Sequence, residues 1–262
     1  MSILKPISFF VLVSILFSCT GKKNNKQATS PVQLNKTELT KSQKIINKTI
    51  NAHGGDLYDS AYYSFVFREK TYQFKNDGNS YIYTKTSTIG SDTIIDSLVN
   101  NHFKRTVNGK KISLSKKEIA SGTGAVNSVV YFATLPYKLK DQAVNSKYIE
   151  SSMILDKNYD VIEVTFSKDG GGEDYDDAYY YWINKKTKKI DYLAYNYTVN
   201  KGGVRFRSAF NRRVVAGITF QDYINYKAPV GTALKDLATL YEAGKLKELS
   251  KIKTEAVKKI GI

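Results

Sequence analysis

The chain has 262 residues, a formal net charge of +16, two histidines and one cysteine. That single cysteine excludes an internal disulfide framework and a cysteine-based metal site. Twenty tyrosines against four prolines lean toward β-sheet, because ring side chains fit pleated, half-wet surfaces.

In chain order, residues 1–18 have the three parts of a bacterial secretion signal: the cation Lys5, an apolar run from Ile7 to Phe17, and small Ser18 before the cut. The run is shorter than the roughly 20 residues a membrane span needs, and no later segment qualifies. Leu16-Phe17-Ser18-Cys19 resembles the lipobox of bacterial lipoproteins, although Phe17 stands where a small or β-branched residue is usual. The resemblance implies that the Cys19 thiol carries a diacylglyceryl group and its new amino terminus a third chain. The alternative is a free cysteine just past an ordinary cleavage site, where a lone exposed thiol in an oxidising compartment would be a liability. Three acyl chains exceed the two-signal threshold for stable membrane attachment.

From Cys19 through the polar stretch Thr20 to Thr37, rich in Lys, Asn, Gln and Ser, too little apolar surface is present to fold. The expectation is a tether reaching about 60 Å when extended. Lys22, Lys23 and Lys26 follow the anchor without acidic neighbours. Surface-exported lipoproteins of the Bacteroidota carry an acidic cluster there, so by that resemblance the expected location is the cell envelope, at the outer membrane facing the periplasm.

Residues 38–262 are expected to form a single β-rich domain. Thr40 and Gln43 make a capping box for a helix from Thr40 to His53, closed by Gly54-Gly55. Alternating segments follow at Tyr62 to Phe74, Asn79 to Ile89, Thr93 to Val99 and His102 to Val107, the last turning at Asn108-Gly109 into Lys110 to Leu114. Ser115 and Glu118 cap a helical stretch, interrupted by Gly122 and Gly124, that stops at Pro136. Strands are then expected at Lys147 to Leu155, Asp160 to Ser167, Ala178 to Ile183, Ile190 to Val199, Val204 to Asn211 and Val214 to Tyr226. A helix from Ala233 to Ala243 precedes a Lys-rich tail that reads equally as helix or edge strand. The expected fold class is mainly β (α+β): a large curved antiparallel sheet, half-open, with a few helices packed on one side.

The string Ala52-His53-Gly54-Gly55, the meander, the mid-chain helical insertion and the hairpin Trp182 to Tyr195 resemble uncharacterised Bacteroidota lipoproteins related to LolA and LolB. That resemblance implies a half-open barrel whose apolar concavity holds acyl chains, with helices plugging its mouth. It supplies no catalytic signature.

The basic balance points to polyanionic partners. Export argues against nucleic acid and for anionic lipid headgroups, while solvated lysine faces explain any one cluster as well. The acidic run Asp169 to Asp177 lacks an EF-hand spacing and reads as a hairpin tip, so no metal site and no cofactor are expected. His53 and His102 are far apart with no catalytic motif around them, so no catalytic residues are assigned, although strand carboxylate pairs remain open. The informative remainder is aromatic. Tyr63, Phe65 and Phe67 share a strand face, as do Tyr81 and Tyr83, Tyr180 and Trp182, and Tyr195 and Tyr197. These rings are expected to line a concave ligand surface, with Trp182 a reporter if it points inward; plain core packing is the alternative. Arg205 and Arg207, one pleat apart, are expected at its rim, where they could grip a phosphate or carboxylate.

The expected function is non-catalytic binding of a lipid or other apolar moiety by an anchored envelope protein. A structural or interaction lipoprotein without a ligand, and an envelope hydrolase, are the alternatives. Replacing Cys19 by Ser is expected to abolish labelling by a tagged palmitate; label that persists in the variant would exclude the lipobox.

Overall fold

In the computed structural model, which describes residues 38–168, 177–198 and 201–261, the alternating segments pair antiparallel throughout, in two ladders. The first joins β1 (Tyr62–Phe67), β2 (Lys70–Asp77), β3 (Ser80–Ile89), β4 (Asp92–Val99), β5 (His102–Val107), the short β6 (Lys110–Lys111) and β14 (Glu255–Lys259) in the order β14-β1-β2-β3-β4-β5-β6. The second joins β7 (Val144–Ile154), β8 (Lys157–Phe166), β9 (Tyr179–Asn184), β10 (Ile190–Tyr197), β11 (Gly203–Val215), β12 (Ile218–Ala228) and β13 (Lys247–Ile252) in the order β13-β12-β11-β10-β9-β8-β7. The expected signal, Cys19, the tether and most of the acidic run lie outside the described residues.

Asn108-Gly109 makes the expected hairpin, with φ of 49° and 77°. The expected single strand from Tyr62 to Phe74 is two strands instead. Arg68 and Glu69 both take left-handed backbone, φ 49° and 62°, and close a two-residue turn whose twist suits adjacent strands.

The Lys-rich tail resolves as two edge strands rather than a helix. β13 lies on the second ladder and β14 on the first, so Lys253 and Thr254 carry the chain between them. This crossing is held by Asp222, 2% exposed. Its carboxylate accepts from Thr254 N at 3.0 Å, Thr254 Oγ1 at 3.2 Å, Asn211 Nδ2 at 2.7 Å and Arg213 Nη1 at 3.2 Å. Arg213 Nη2 donates in turn to Thr254 Oγ1 at 2.9 Å. A buried carboxylate is tolerable only when hydrogen-bonded and paired, and here one side chain meets both needs while fixing the crossing. The neighbouring β11-β12 tip reaches the first sheet's core: Tyr63 Oη donates to Val215 O at 3.3 Å and to Ala216 O at 3.0 Å. Gly217 at this tip has φ 90°, a left-handed backbone conformation that favours glycine.

Helix α1 (Lys41–His53) begins at the expected Thr40–Gln43 capping box. Ser42 Oγ donates to Ser146 O on β7 at 3.0 Å, and at the other end the Lys189 ammonium caps the carbonyl of Ala52, where the helix dipole favours a cation. Helix α2 (Lys116–Ala133) has the expected Ser115–Glu118 box but runs unbroken through Gly122 and Gly124. Gly122 is explained by its neighbour, since a Cβ would meet the Phe103 ring at 2.3 Å. The helices do not all pack on one side. Helix α3 (Leu237–Glu242), shorter than the expected helix and preceded by a 3-10 turn at Leu234–Asp236, packs Leu237 and Ala238 with Trp182 and Phe206, on the face opposite α1 and α2.

Replacing Asp222 by Asn should lower unfolding free energy in urea by about 3 kcal/mol, since it leaves a partly buried arginine unpaired and weakens several charge-assisted bonds. A change within about 0.5 kcal/mol, typical of a surface substitution, would show that this carboxylate does not hold the crossing.

Candidate ligand-binding site

Strand side chains alternate between faces, and in β9 both parities are buried. Tyr179, Tyr181 and Ile183 pack with Ile46 and Ile50 of α1, whereas Trp182, with Tyr180 against it, packs with α3. The face toward α1 and α2 is the inner one. Helix α2 serves both sheets: Val126, Val130 and Ala133 enter the core formed by Tyr63, Phe65, Tyr83 and Leu98, while Tyr131 and Phe132 pack against the second sheet.

Tyr63, Phe65, Phe67, Tyr81 and Tyr83 thus come together on the first sheet's inner face, and Tyr195 on the second's, where its ring lies 5.4 Å from Phe132 and 5.5 Å from Tyr179. Tyr197 continues that row, 6.2 Å from Tyr195. Tyr180 and Trp182 are not brought there. Tyr180 donates to Glu163 at 3.2 Å and Trp182 is 1% exposed beneath α3, so neither faces the helical cover of the inner side. Residue parity separates them from Tyr181, and nothing local in the strand shows which parity faces inward.

The inner face is covered in this state, with Tyr63, Phe65, Tyr83 and Tyr181 all buried. Open space remains at the surface, in part beside this face at Phe103. A cleft of about 730 Å³ borders His102, Phe103 and Ile119, and one of about 850 Å³ borders Asn184, Asp191 and Arg212.

Two arginine–tyrosine pairs stand side by side on the inner face. Arg205, half-buried, donates to Tyr197 Oη and to Val204 O. Arg207 Nη2 donates to Tyr195 Oη at 2.7 Å, and its guanidinium carbon lies 3.9 Å from the Phe132 ring centroid. Arg207 is therefore no rim residue, but a buried one. On the first sheet, by contrast, buried Asp96 accepts from Lys85 at 2.6 Å and from Arg105 Nη2 at 2.9 Å. Burial opposes the charge on Asp96, but these bonds outweigh it and hold the carboxyl below its usual range.

The inner-face phenols are poor proton carriers at neutral pH. Tyr131 and Tyr181 share a 2.7 Å hydrogen bond, and burial pushes both hydroxyls well up. His53 is buried at the end of α1, with Nε2 accepting from Ile190 N at 3.3 Å. That bond places the neutral ring's proton on Nδ1. Burial first, then the Lys189 and Arg212 charges, hold its pKa well below 6.5. Among the described residues no cluster of three or more His, Cys, Asp or Glu side chains is placed to hold a metal, and no helix is long and apolar enough to cross a membrane. Phe132, Tyr131, Tyr179 and Tyr181 were not singled out from sequence. Only the opposite parity of the Tyr179–Trp182 run, read together with the helix that covers it, would have found them.

A model of a family of unknown function, DUF6503, matches residues 6–254. No curated protein matches the chain. A solved LolA superfamily protein from Nitrosomonas europaea shares the fold at 12% identity, with a TM-score of 0.51 over 86% of this chain and 96% of that one. Also similar, with TM-scores of 0.39 and 0.37, are a DUF1329 family protein from Desulfovibrio piger and a putative outer membrane lipoprotein-sorting protein domain from Vibrio parahaemolyticus. The first is 10% identical over 84% of this chain and 94% of its own; the second is 8% identical over 84% and 92%. The half-open, LolA-like antiparallel architecture expected from sequence is thus met, in two linked ladders.

Because the folded protein binds the His53 proton more weakly than the unfolded chain, the stability it contributes is complete above the unfolded pKa of 6.5 and is lost as pH falls below it. Unfolding free energy should drop by up to about 1.4 kcal/mol per pH unit between 6.5 and 5 from this group. In His53→Gln that component should vanish; an unchanged pH profile in the variant would show that His53 is not its source.

Proposed function

We propose, for a chain that belongs to the DUF6503 family of unknown function, that it binds an acyl-type apolar ligand non-catalytically on the inner face shared by its two sheets. The observation that carries this is that one helix, α2, covers aromatic residues on the inner faces of both sheets. Helix α2 contributes Val126 and Val130 to one sheet's core and Tyr131 and Phe132 to the other's, so displacing one element uncovers apolar surface on both. Two glycines within this 18-residue helix each cost it about 1 kcal/mol relative to alanine, and low local stability is what a movable cover requires.

The LolA-like fold supports a carrier reading, since a neighbour of that superfamily shares the architecture. The phenols on this face, held neutral by burial, favour binding over proton-transfer chemistry. Residues 1–18 as a signal, Cys19 as an acylated anchor and the following polar stretch as a tether complete the proposal of an envelope lipoprotein. Such a protein would meet lipids at the membrane that holds it, at the outer membrane on its periplasmic side. The competing reading, an interaction module with a permanently filled core, draws on the burial of the same rings.

Each buried methylene is worth about 0.8 kcal/mol, so a twelve-carbon chain can offset the association cost even after helix displacement. Dodecan-1-ol should raise the melting temperature and change the emission of a Phe132→Trp variant. The native Trp182 signal should stay nearly constant, because that ring lies under α3. No shift in either the melting temperature or the Phe132→Trp emission up to the ligand's solubility limit, with no lipid recovered from the native protein by mass spectrometry, would leave the interaction module.

A further inference from the structure

Arg207 is 7% exposed, yet its Nε and Nη1 are buried with no hydrogen-bond partner. The Nη2 bond to Tyr195 Oη goes to a neutral oxygen, and no carboxylate among the described residues pairs with the guanidinium. Across the ladder, in register with Arg207, stands Asn225 on β12, whose Oδ1 is also buried without a partner. This chain pairs its buried charges elsewhere: Asp96 has Lys85 and Arg105, and Asp222 has Arg213. A guanidinium cannot shed its proton to escape the cost of burial, so the two unmet donors favour an anionic partner.

Resting on the acyl-binding reading above, we infer that Arg207, flanked by Phe132, Tyr195 and Asn225, is the head-group site for an anionic amphiphile, a carboxylate or phosphate bearing an alkyl chain. The chemistry divides along the inner face. Phe132 and Tyr195 belong to the aromatic lining that receives the chain, and the guanidinium supplies donors for the charged head. Arg205, two residues away on the same strand face and half-buried with Tyr197, stands beside it as a second cation. The Asn225 amide provides a neutral neighbour that accepts or donates without competing for the positive charge. Non-ionic and cationic amphiphiles of the same length leave the Arg207 donors unmet, and specificity arises from that difference.

The test compares four twelve-carbon probes on the purified, delipidated full chain by calorimetry: dodecanoate, dodecyl phosphate, dodecan-1-ol and dodecyltrimethylammonium. Acetate and inorganic phosphate serve as chainless probes. At least one of the two anionic amphiphiles should bind about tenfold or more tighter than the alcohol, the scale of a charge-assisted hydrogen bond in a dry site. The better of the two identifies the head as carboxylate or phosphate. In Arg207→Met the preference should vanish while alcohol affinity is retained. Equal binding of all four probes by the wild type would overturn the head-group inference and leave the acyl reading standing. Binding of none would overturn the acyl reading itself. Acetate or phosphate matching the long-chain anions would make this a small-anion site and overturn the inference, as would an anion preference that survives in Arg207→Met. The wild-type comparison decides the matter even where the variant fails to fold.

Discussion

A strand sends successive side chains to opposite faces, and a sheet that is apolar on both faces has to be covered twice. That constraint governs this molecule. The middle strands of the second sheet place Tyr181, Ile183 and Leu193 on one side and Trp182, Tyr192 and Phe206 on the other, all buried. One cover is made by α1 and the end of α2, the other by α3 and the turn before it. The first sheet needs a single cover, because its other face carries residues such as Gln73, Lys75, Thr84 and Thr86. Helix α2 can therefore lie across the inner faces of both sheets at once, while the tail crosses from one ladder's edge to the other's and is fastened by Asp222.

The two covers are not equivalent. On the outer side, the contacts of α3 with Trp182 and Phe206 are those of a packed core: Tyr241 of α3 lies 5.1 Å from the Phe206 ring, which meets Trp182 edge-on at 5.6 Å. The outer side leaves Ser152 Oγ, opposite Tyr159, without a partner, whereas the inner side gathers three such atoms at one register position: Arg207 Nε and Nη1, and Asn225 Oδ1. Well-packed cores rarely leave such groups unmet, and sites that take ligands are where they are tolerated. The tyrosines there bring large apolar area with one polar atom each, which suits a surface that is dry when closed and can accept a head group when opened.

Much of the local structure was legible in the chain. The two capping boxes and the Asn108-Gly109 turn are written in contiguous residues, and each formed as expected. The Arg68-Glu69 turn was hidden because neither residue is the usual choice for left-handed backbone, and only pairing between β1 and β2 reveals it. Gly122 and Gly124 read as a break in a helix; the reason for Gly122 is the Phe103 ring, more than a dozen residues earlier. The aromatic set was legible as strand faces, but which face looks inward was not. Alternation is symmetrical until a helix covers one side, so Tyr180 and Trp182 were grouped with rings from which the sheet separates them. Arg205 and Arg207 were visible as a pair one pleat apart. That one of them is buried and unpaired depends on Phe132 and on the absence of a carboxylate near it among the described residues, both tertiary facts.

The claim on which the functional account rests is that an alkyl chain enters the inner face and leaves the outer one untouched. A twelve-carbon alcohol carrying a photoreactive diazirine at its tail, irradiated with the protein and mapped by peptide mass spectrometry, tests it most directly. The account predicts adducts on inner-face residues of both sheets and on α2, Tyr181, Tyr195, Phe132 and Tyr83 among them. Adducts concentrated on Tyr180, Trp182 and Tyr241, beneath or on α3, would contradict it.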